Sequence, residues 1–216
     1  MSLAHIAHIA HALQGLLGSS PLEVAGNLCG LLSVVLAVRE SVWTMPTGLV
    51  NEALFAVLFY QVRLYPDVLL QALFFALTVY GWYAWTRTAG ARTVAPTTRL
   101  TARSALTLCG FGAAAYVALG LFFATRTDAS LPWVDSFTTV LSVIAQYLLS
   151  RKVFETWYLW IAADLILIPL YVYKGIGLTG VLYAVFLLLS IRGLLSWRRE
   201  LRRERDTGMG AWVRPA

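Results

Sequence analysis

Seven apolar runs, at roughly residues 22–38, 43–60, 68–86, 104–124, 133–150, 157–173 and 178–197, dominate the chain. Each approaches the ~20 residues that an α-helix needs to cross the hydrocarbon core of a bilayer, and only short connections separate them. A chain so built has no place for a sizeable soluble domain. Its 216 residues are 59% hydrophobic and only 13% charged, so water is the wrong solvent for most of it. The sequence predicts an all-α membrane protein with seven transmembrane helices and a lipid bilayer as its surroundings.

The net charge of +6 comes from short basic clusters between the apolar runs, so it reads as a topology signal and nucleic acid is not expected as a partner. With the N-terminus outside, the inside segments hold fourteen of the Arg and Lys residues: Arg39, Arg87, Arg92, Arg99, Arg103, Arg151, Lys152 and the run from Arg192 to Arg214. The outside segments hold Arg63, Arg126 and Lys174. The positive-inside rule then predicts a multi-pass protein of the bacterial inner membrane, N-terminus outside and C-terminus cytoplasmic. The basic tail SWRRELRRERDTGMG serves as a cytoplasmic anchor, with anionic head groups as its alternative role.

The first twenty residues lack a positive leader and a small-residue cleavage site, so residues 1–20 are expected to form a surface segment. His5, His8 and His11 recur every three residues, a spacing that spreads the rings around a helix instead of converging them on a metal. Cys29 and Cys109 lie inside apolar runs without paired spacing and are expected to pack as small residues. Phosphate-binding loops, zinc motifs and nucleophile elbows are not recognisable, so the chain is not expected to be an enzyme or to need a cofactor.

Compared with itself at a shift of about 113 positions, the chain places Asn51 against Asp164 and Tyr60 against Tyr173. After a one-residue gap, Gln71 meets Tyr183, Gly81 meets Gly193 and Trp85 meets Trp197. The preserved order predicts a duplicated three-helix unit. Two such units keep the same orientation only if one further helix inverts the chain between them. The expected plan is therefore 3+1+3, two parallel bundles related by an axis along the membrane normal. Its parts are a first bundle at 21–86, a linker with the fourth helix at 87–131, a second bundle at 132–197 and the tail at 198–216.

Polar side chains at mid-membrane depth are expensive, which makes each a functional candidate: Asn51, Glu52, Gln71, Gln146 and Asp164. Interhelical hydrogen bonding is the alternative for Asn51, Gln71 and Gln146. Glu52 points about 100° away from Asn51 and stands between a cavity wall and a structural bond. Trp157, Trp160, Tyr171 and Tyr173 crowd the sixth span, with Trp160 and Asp164 one turn apart on one face. An aromatic plane beside a carboxylate suits a flat, cationic or hydroxylated ligand. Trp43, Trp85, Trp133 and Trp197 are assigned to the interfacial aromatic belt. A terminal phosphate would find no paired cation at the midplane, so an unphosphorylated substrate is favoured.

Three stretches, GLVNEALFAVLFYQVRLYPDVLLQALFFALTVYGWYAWTR, LSVIAQYLLSRKVFETWYLWIAADL and YVYKGIGLTGVLYAVFLLLSIRGLLSW, resemble the PnuC family of bacterial vitamin transporters over about half the chain. The resemblance implies facilitated diffusion of nicotinamide riboside or another unphosphorylated B-type vitamin, with trapping by a cytoplasmic kinase as the functional partner. It also implies that Trp157, Trp160, Asp164, Asn51, Gln71 and Gln146 form the substrate region, with Tyr173 and Tyr183 as weaker nominations. Asp164 departs from the Asn that nicotinamide riboside carriers can have there, which leaves thiamine and other vitamins as alternative cargoes. An integral-membrane enzyme or sensor built on the same pocket is the alternative from another class. The sequence leaves room for homo-oligomerisation.

Overall fold

The structure, a computed structural model, describes residues 20–61, 63–87, 95–127, 130–173 and 177–206. The expected N-terminal surface helix, with its three histidines, and the end of the tail lie outside the described residues. Seven helices run through the remainder: α1 (Pro21–Val38), α2 (Thr44–Gln61), α3 (Tyr65–Arg87), α4 (Ala102–Arg126), α5 (Pro132–Ser150), α6 (Thr156–Tyr173) and α7 (Gly177–Asp206). Five are long and apolar enough to cross a bilayer by length and composition: α1, α3, α4, α6 and α7. The other two, α2 and α5, dilute their apolar runs with Asn51 and Glu52 and with Asp135, Ser136, Thr138 and Gln146. α7 continues without a break through the basic segment Arg198–Asp206.

Local chemistry sets several helix starts. Ser20 caps α1 by accepting from the Glu23 amide at 3.1 Å, with Pro21 supplying a preset first position. Thr101 caps α4 by accepting from the Ser104 amide at 3.2 Å. The connections α1–α2 and α5–α6 turn through left-handed residues, Glu40 at φ 55° and Lys152 at φ 52°.

The helices close into a ring. α1 packs on α2, α2 on α3, α3 on α5, α5 on α6, α6 on α7, and α7 returns to α1. α4 stands outside this ring and packs on α5 alone among the described elements. Its Leu106 and Phe111 are 76% and 71% exposed, an apolar surface suited to lipid. Cys109 is exposed on the same helix, so it does not pack as a small core residue; Cys29 is half-buried on α1.

A single offset of 112 residues relates the two halves of the ring. α2 and α6 begin and end on matched residues, Thr44 with Thr156 and Gln61 with Tyr173. Thr44 Oγ1 donates to the Ser33 carbonyl at 2.9 Å, and Thr156 Oγ1 donates to the matched Ala145 carbonyl at 2.8 Å. Trp85 and Trp197 repeat one another in the same way, as do the left-handed Glu40 and Lys152. The shift of 113 expected over α2 and α6 is therefore one residue too long. The counterpart of Asp164 is Glu52, and Asn51 matches Ala163.

Candidate functional site

α6 carries Trp157, Trp160 and Asp164 at positions i, i+3 and i+7, which a helix places on one face. Trp157 is 1% exposed, and its indole lies flat on α7 at Gly193, where an added Cβ would come within 2.5 Å of the ring. Only glycine allows that approach. Trp160 is half-buried against the same aromatic cluster. Asp164 is 3% exposed, and its Oδ2 accepts from the Ser190 hydroxyl of α7 at 3.2 Å.

A polar relay joins the first half of the ring to α5 of the second. Glu52 Oε1 accepts from Thr78 Oγ1 at 2.6 Å, and Thr78 Oγ1 accepts from Gln146 Nε2 at 2.9 Å. Three helices, α2, α3 and α5, are joined by two bonds. Glu52 is 6% exposed, and its Oε2 has no hydrogen-bond partner among the described residues; the same holds for Trp157 Nε1. Buried polar atoms cost free energy unless satisfied, and these two are an acceptor on one half of the ring and a donor on the other.

Glu52 and Thr78 are 26 residues apart, and so are Asp164 and Ser190. Each half of the ring thus holds one buried carboxylate bonded to a hydroxyl on the next helix. Thr78 and Ser190 were absent from the sequence-derived set, although the recurrence of acid and hydroxyl at the same spacing was present in the chain. Reading the repeat at 112 would have disclosed them.

The remaining candidates are placed differently. Asn51 turns toward α1, where its Nδ2 donates to the Gly26 carbonyl at 2.8 Å and sits against Gly30. Gln71 is half-buried on α3, about two turns from Thr78 at 3.6 residues per turn. Tyr183 stacks on Tyr171 with centroids 5.1 Å apart and planes at 20°. Tyr173 is 81% exposed at the end of α6.

Directly beyond Trp157 lies a charged closure. Trp157 meets Trp197 edge to face at 5.4 Å, and Trp197 meets Trp85 at 6.0 Å. Trp85 Nε1 donates to the Leu149 carbonyl on α5, and Trp197 Nε1 donates to the Ala37 carbonyl on α1, both at 3.0 Å. Both indoles are fully buried, so Trp85 and Trp197 do not belong to the interfacial belt. Their N–H groups need the carbonyls at the ends of the opposite bundle's first helix, and this draws them inward. Trp43 and Trp133 are 66% and 42% exposed.

Lys152 fills the space between the two tryptophans. Its Nζ is 5.2 Å from the Trp85 ring centroid and 5.9 Å from that of Trp197, pairs with Glu40 Oε2 at 2.7 Å and donates to the Ala95 carbonyl. The connection after α3 seals this end: Thr98 donates its amide to the Lys152 carbonyl at 3.0 Å and accepts from the Phe154 amide at 2.9 Å. Lys152, counted in the sequence only as a topological charge, is 2% exposed.

The profile of the nicotinamide mononucleotide transporter family matches residues 20–199. The chain belongs to this family. Its members are membrane transporters, not enzymes, and the chain is accordingly a multi-pass membrane transporter. A nicotinamide riboside transporter PnuC of Escherichia coli K12 is 29% identical over 212 aligned positions, covering 84% of this chain and 86% of the relative. A riboflavin/roseoflavin transporter RibM of Streptomyces davaonensis is 28% identical over 188 positions, with 84% and 86% covered. The crystal structure of a vitamin B3 transporter PnuC shares the fold, with a TM-score of 0.70 and 22% identity over 91% of this chain and 88% of that one.

Proposed function

We propose that this chain carries nicotinamide riboside by facilitated diffusion, and that a cytoplasmic kinase traps the vitamin after entry. The observation that carries the reading is the face Trp157–Trp160–Asp164, with Glu52 and Thr78 on the other half of the ring and Gln146 bonded to Thr78 across the two. A Trp plane stacks on a heteroaromatic cation, a carboxylate favours its positive charge, and amide and carboxylate groups bond ribose hydroxyls. The ionisable groups buried within α2 and α6, Glu52 and Asp164, are both acidic, which disfavours a phosphorylated substrate.

The ring order and the constant offset of 112 support a 3+1+3 plan with α1–α3 and α5–α7 as parallel repeats and α4 as the inverting linker. All seven helices then cross the membrane, α2 and α5 being tolerated because their polar groups face neighbouring helices. The positive-inside rule sets the N-terminus outside, which makes the Lys152 end cytoplasmic. The tryptophan and Lys152–Glu40 contacts then form a cytoplasmic closure beneath the substrate, and transport requires it to part as one bundle rocks against the other. Pro169, inside α6, removes a backbone bond to the Leu165 carbonyl and supplies a place to bend.

RibM's similarity favours a second cargo, riboflavin, on the same scaffold. A neutral ring system would gain nothing from the Asp164 charge, and a panel of nicotinamide riboside, thiamine and riboflavin separates the readings. Purified protein reconstituted into vesicles should admit labelled nicotinamide riboside to equilibrium. With a riboside kinase and ATP enclosed, it should accumulate the label. Vesicles that stay empty under both conditions refute the transport reading for this vitamin.

A further inference from the structure

Outside the ring, α4 and α5 enclose a recess at the Lys152 end. It has a volume of about 210 Å³ and lies between the first turns of α4 and the last turn of α5. Its rim is polar and basic: Arg103, Ser104 and Thr107 from α4, Tyr147 from α5 and Arg151 at the α5 cap. Its floor is apolar, built from Leu108, Leu148 and neighbouring side chains. The recess has no carboxylate in its lining.

Arg151 is held in position by Tyr147. Arg151 Nη1 donates to the Tyr147 hydroxyl at 3.1 Å, and its guanidinium stands 5.9 Å from the same ring's centroid. Arg103 and Thr107 occupy i and i+4 on α4, with the Thr107 hydroxyl donating to the Arg103 carbonyl at 3.0 Å. Both arginines are exposed at the recess mouth. The two arginines come from α4 and the α5 cap and line one rim, a pairing of positive charge suited to a phosphate. α4 packs on α5 alone, so the recess is open on the side where lipid surrounds α4.

We infer that this recess binds the phosphate of an anionic phospholipid head group, with Arg103 and Arg151 as its charged partners and the leucine floor taking the start of the acyl chains. A membrane anion fits better than a soluble one because the floor is apolar and the adjoining surface of α4, Leu106 and Phe111, is lipid-facing in character. The inference rests on the orientation proposed above only for the leaflet involved. The bound lipid fastens α4 to α5 beside the Lys152–Glu40 pair, since Arg151 precedes Lys152.

Native mass spectrometry of the purified, delipidated protein tests it with phosphatidylglycerol, phosphatidylcholine of the same acyl chains, and inorganic phosphate. Wild type should retain phosphatidylglycerol about tenfold better than phosphatidylcholine, and excess inorganic phosphate should not displace it. Arg103→Gln with Arg151→Gln should remove that preference, while Arg103→Lys with Arg151→Lys should keep most of it. Arg126→Gln, at the far end of α4, should leave it unchanged. Retained preference in the double Gln variant overturns the proposal, as does equal retention of the two lipids in wild type. Displacement by inorganic phosphate would make the recess a soluble-anion site and overturn the lipid assignment. Thermal melting of each variant checks folding. Detergent binding is blind to sidedness, so a failure of the orientation appears separately, in labelling of cysteines placed at either end of α4 in intact cells.

Discussion

The two halves of the ring share a scaffold and differ in what they hang on it. Thr44 and Thr156, Gly81 and Gly193, Trp85 and Trp197, and the acid–hydroxyl pairs Glu52–Thr78 and Asp164–Ser190 all recur at the same offset. At other matched positions the halves diverge: Met45 answers Trp157, Gly48 answers Trp160, Val34 answers Gln146 and Glu40 answers Lys152. The shared positions hold helices together and supply one buried carboxylate to each half. The diverged ones lie along the aromatic face, the polar relay and the closing ion pair. The offset of 112 gives the ring a repeated frame, and the matched positions that differ are where its two halves become unlike.

Lys152 and Glu40 break the symmetry most sharply, because one backbone position carries opposite charges in the two halves. Lys152→Ala should destabilise the protein by about 3–5 kcal/mol, the usual cost of stranding one member of a buried pair. Glu40→Gln combined with Lys152→Met should recover part of that loss, and thermal melts in detergent give both values. A destabilisation below about 1 kcal/mol, the range of an exposed pair, would mean that the closure is an incidental surface contact.

Removing the aromatic divergence comes next in size. Trp160→Ala should weaken nicotinamide riboside binding by about 2 kcal/mol or more, roughly thirtyfold, with the fold intact. Gly193→Ala should act in the same direction by pushing the Trp157 indole off α7, which calorimetry can compare with Trp160→Ala.

The acid–hydroxyl pairs sharpen the comparison further. Glu52→Gln keeps an acceptor for Thr78, so affinity should fall by about 1 kcal/mol. Asp164→Asn should cost more for a cationic vitamin than for riboflavin. Equal losses for both cargoes would remove charge from the recognition.

Asn51→Ala should give the smallest effect: about 0.6 kcal/mol of stability, typical of an interhelical hydrogen bond in a membrane, and an unchanged affinity. A loss of binding with stability preserved would return Asn51 to the substrate site.

Much of this was legible in the sequence. The apolar runs matched six of the helices to within three residues at each end, since hydrocarbon leaves the backbone no alternative to internal hydrogen bonding; the seventh helix runs nine residues past its apolar run, to Asp206. The placement of Trp160 and Asp164 on one face followed from helical periodicity alone, whereas Trp157 came from the family resemblance. The roles of Trp85, Trp197 and Lys152 did not, because composition cannot tell an indole at a membrane interface from one drawn between two bundles. The partner of Asp164 was misread by one residue for a similar reason. Asn51 and Glu52 are adjacent polar residues, and only the turn of the helix separates a bond to α1 from a bond to α3.

The central claim is that the two halves together hold a vitamin between Trp160 with Asp164 on one side and the Glu52 relay on the other. Isothermal titration of purified protein with nicotinamide riboside, on wild type and on Asp164→Ala, tests it most directly. Saturable binding in the wild type and an affinity at least tenfold weaker in the variant, with an unchanged melting temperature, is the predicted result. Equal affinities in the two proteins would contradict it.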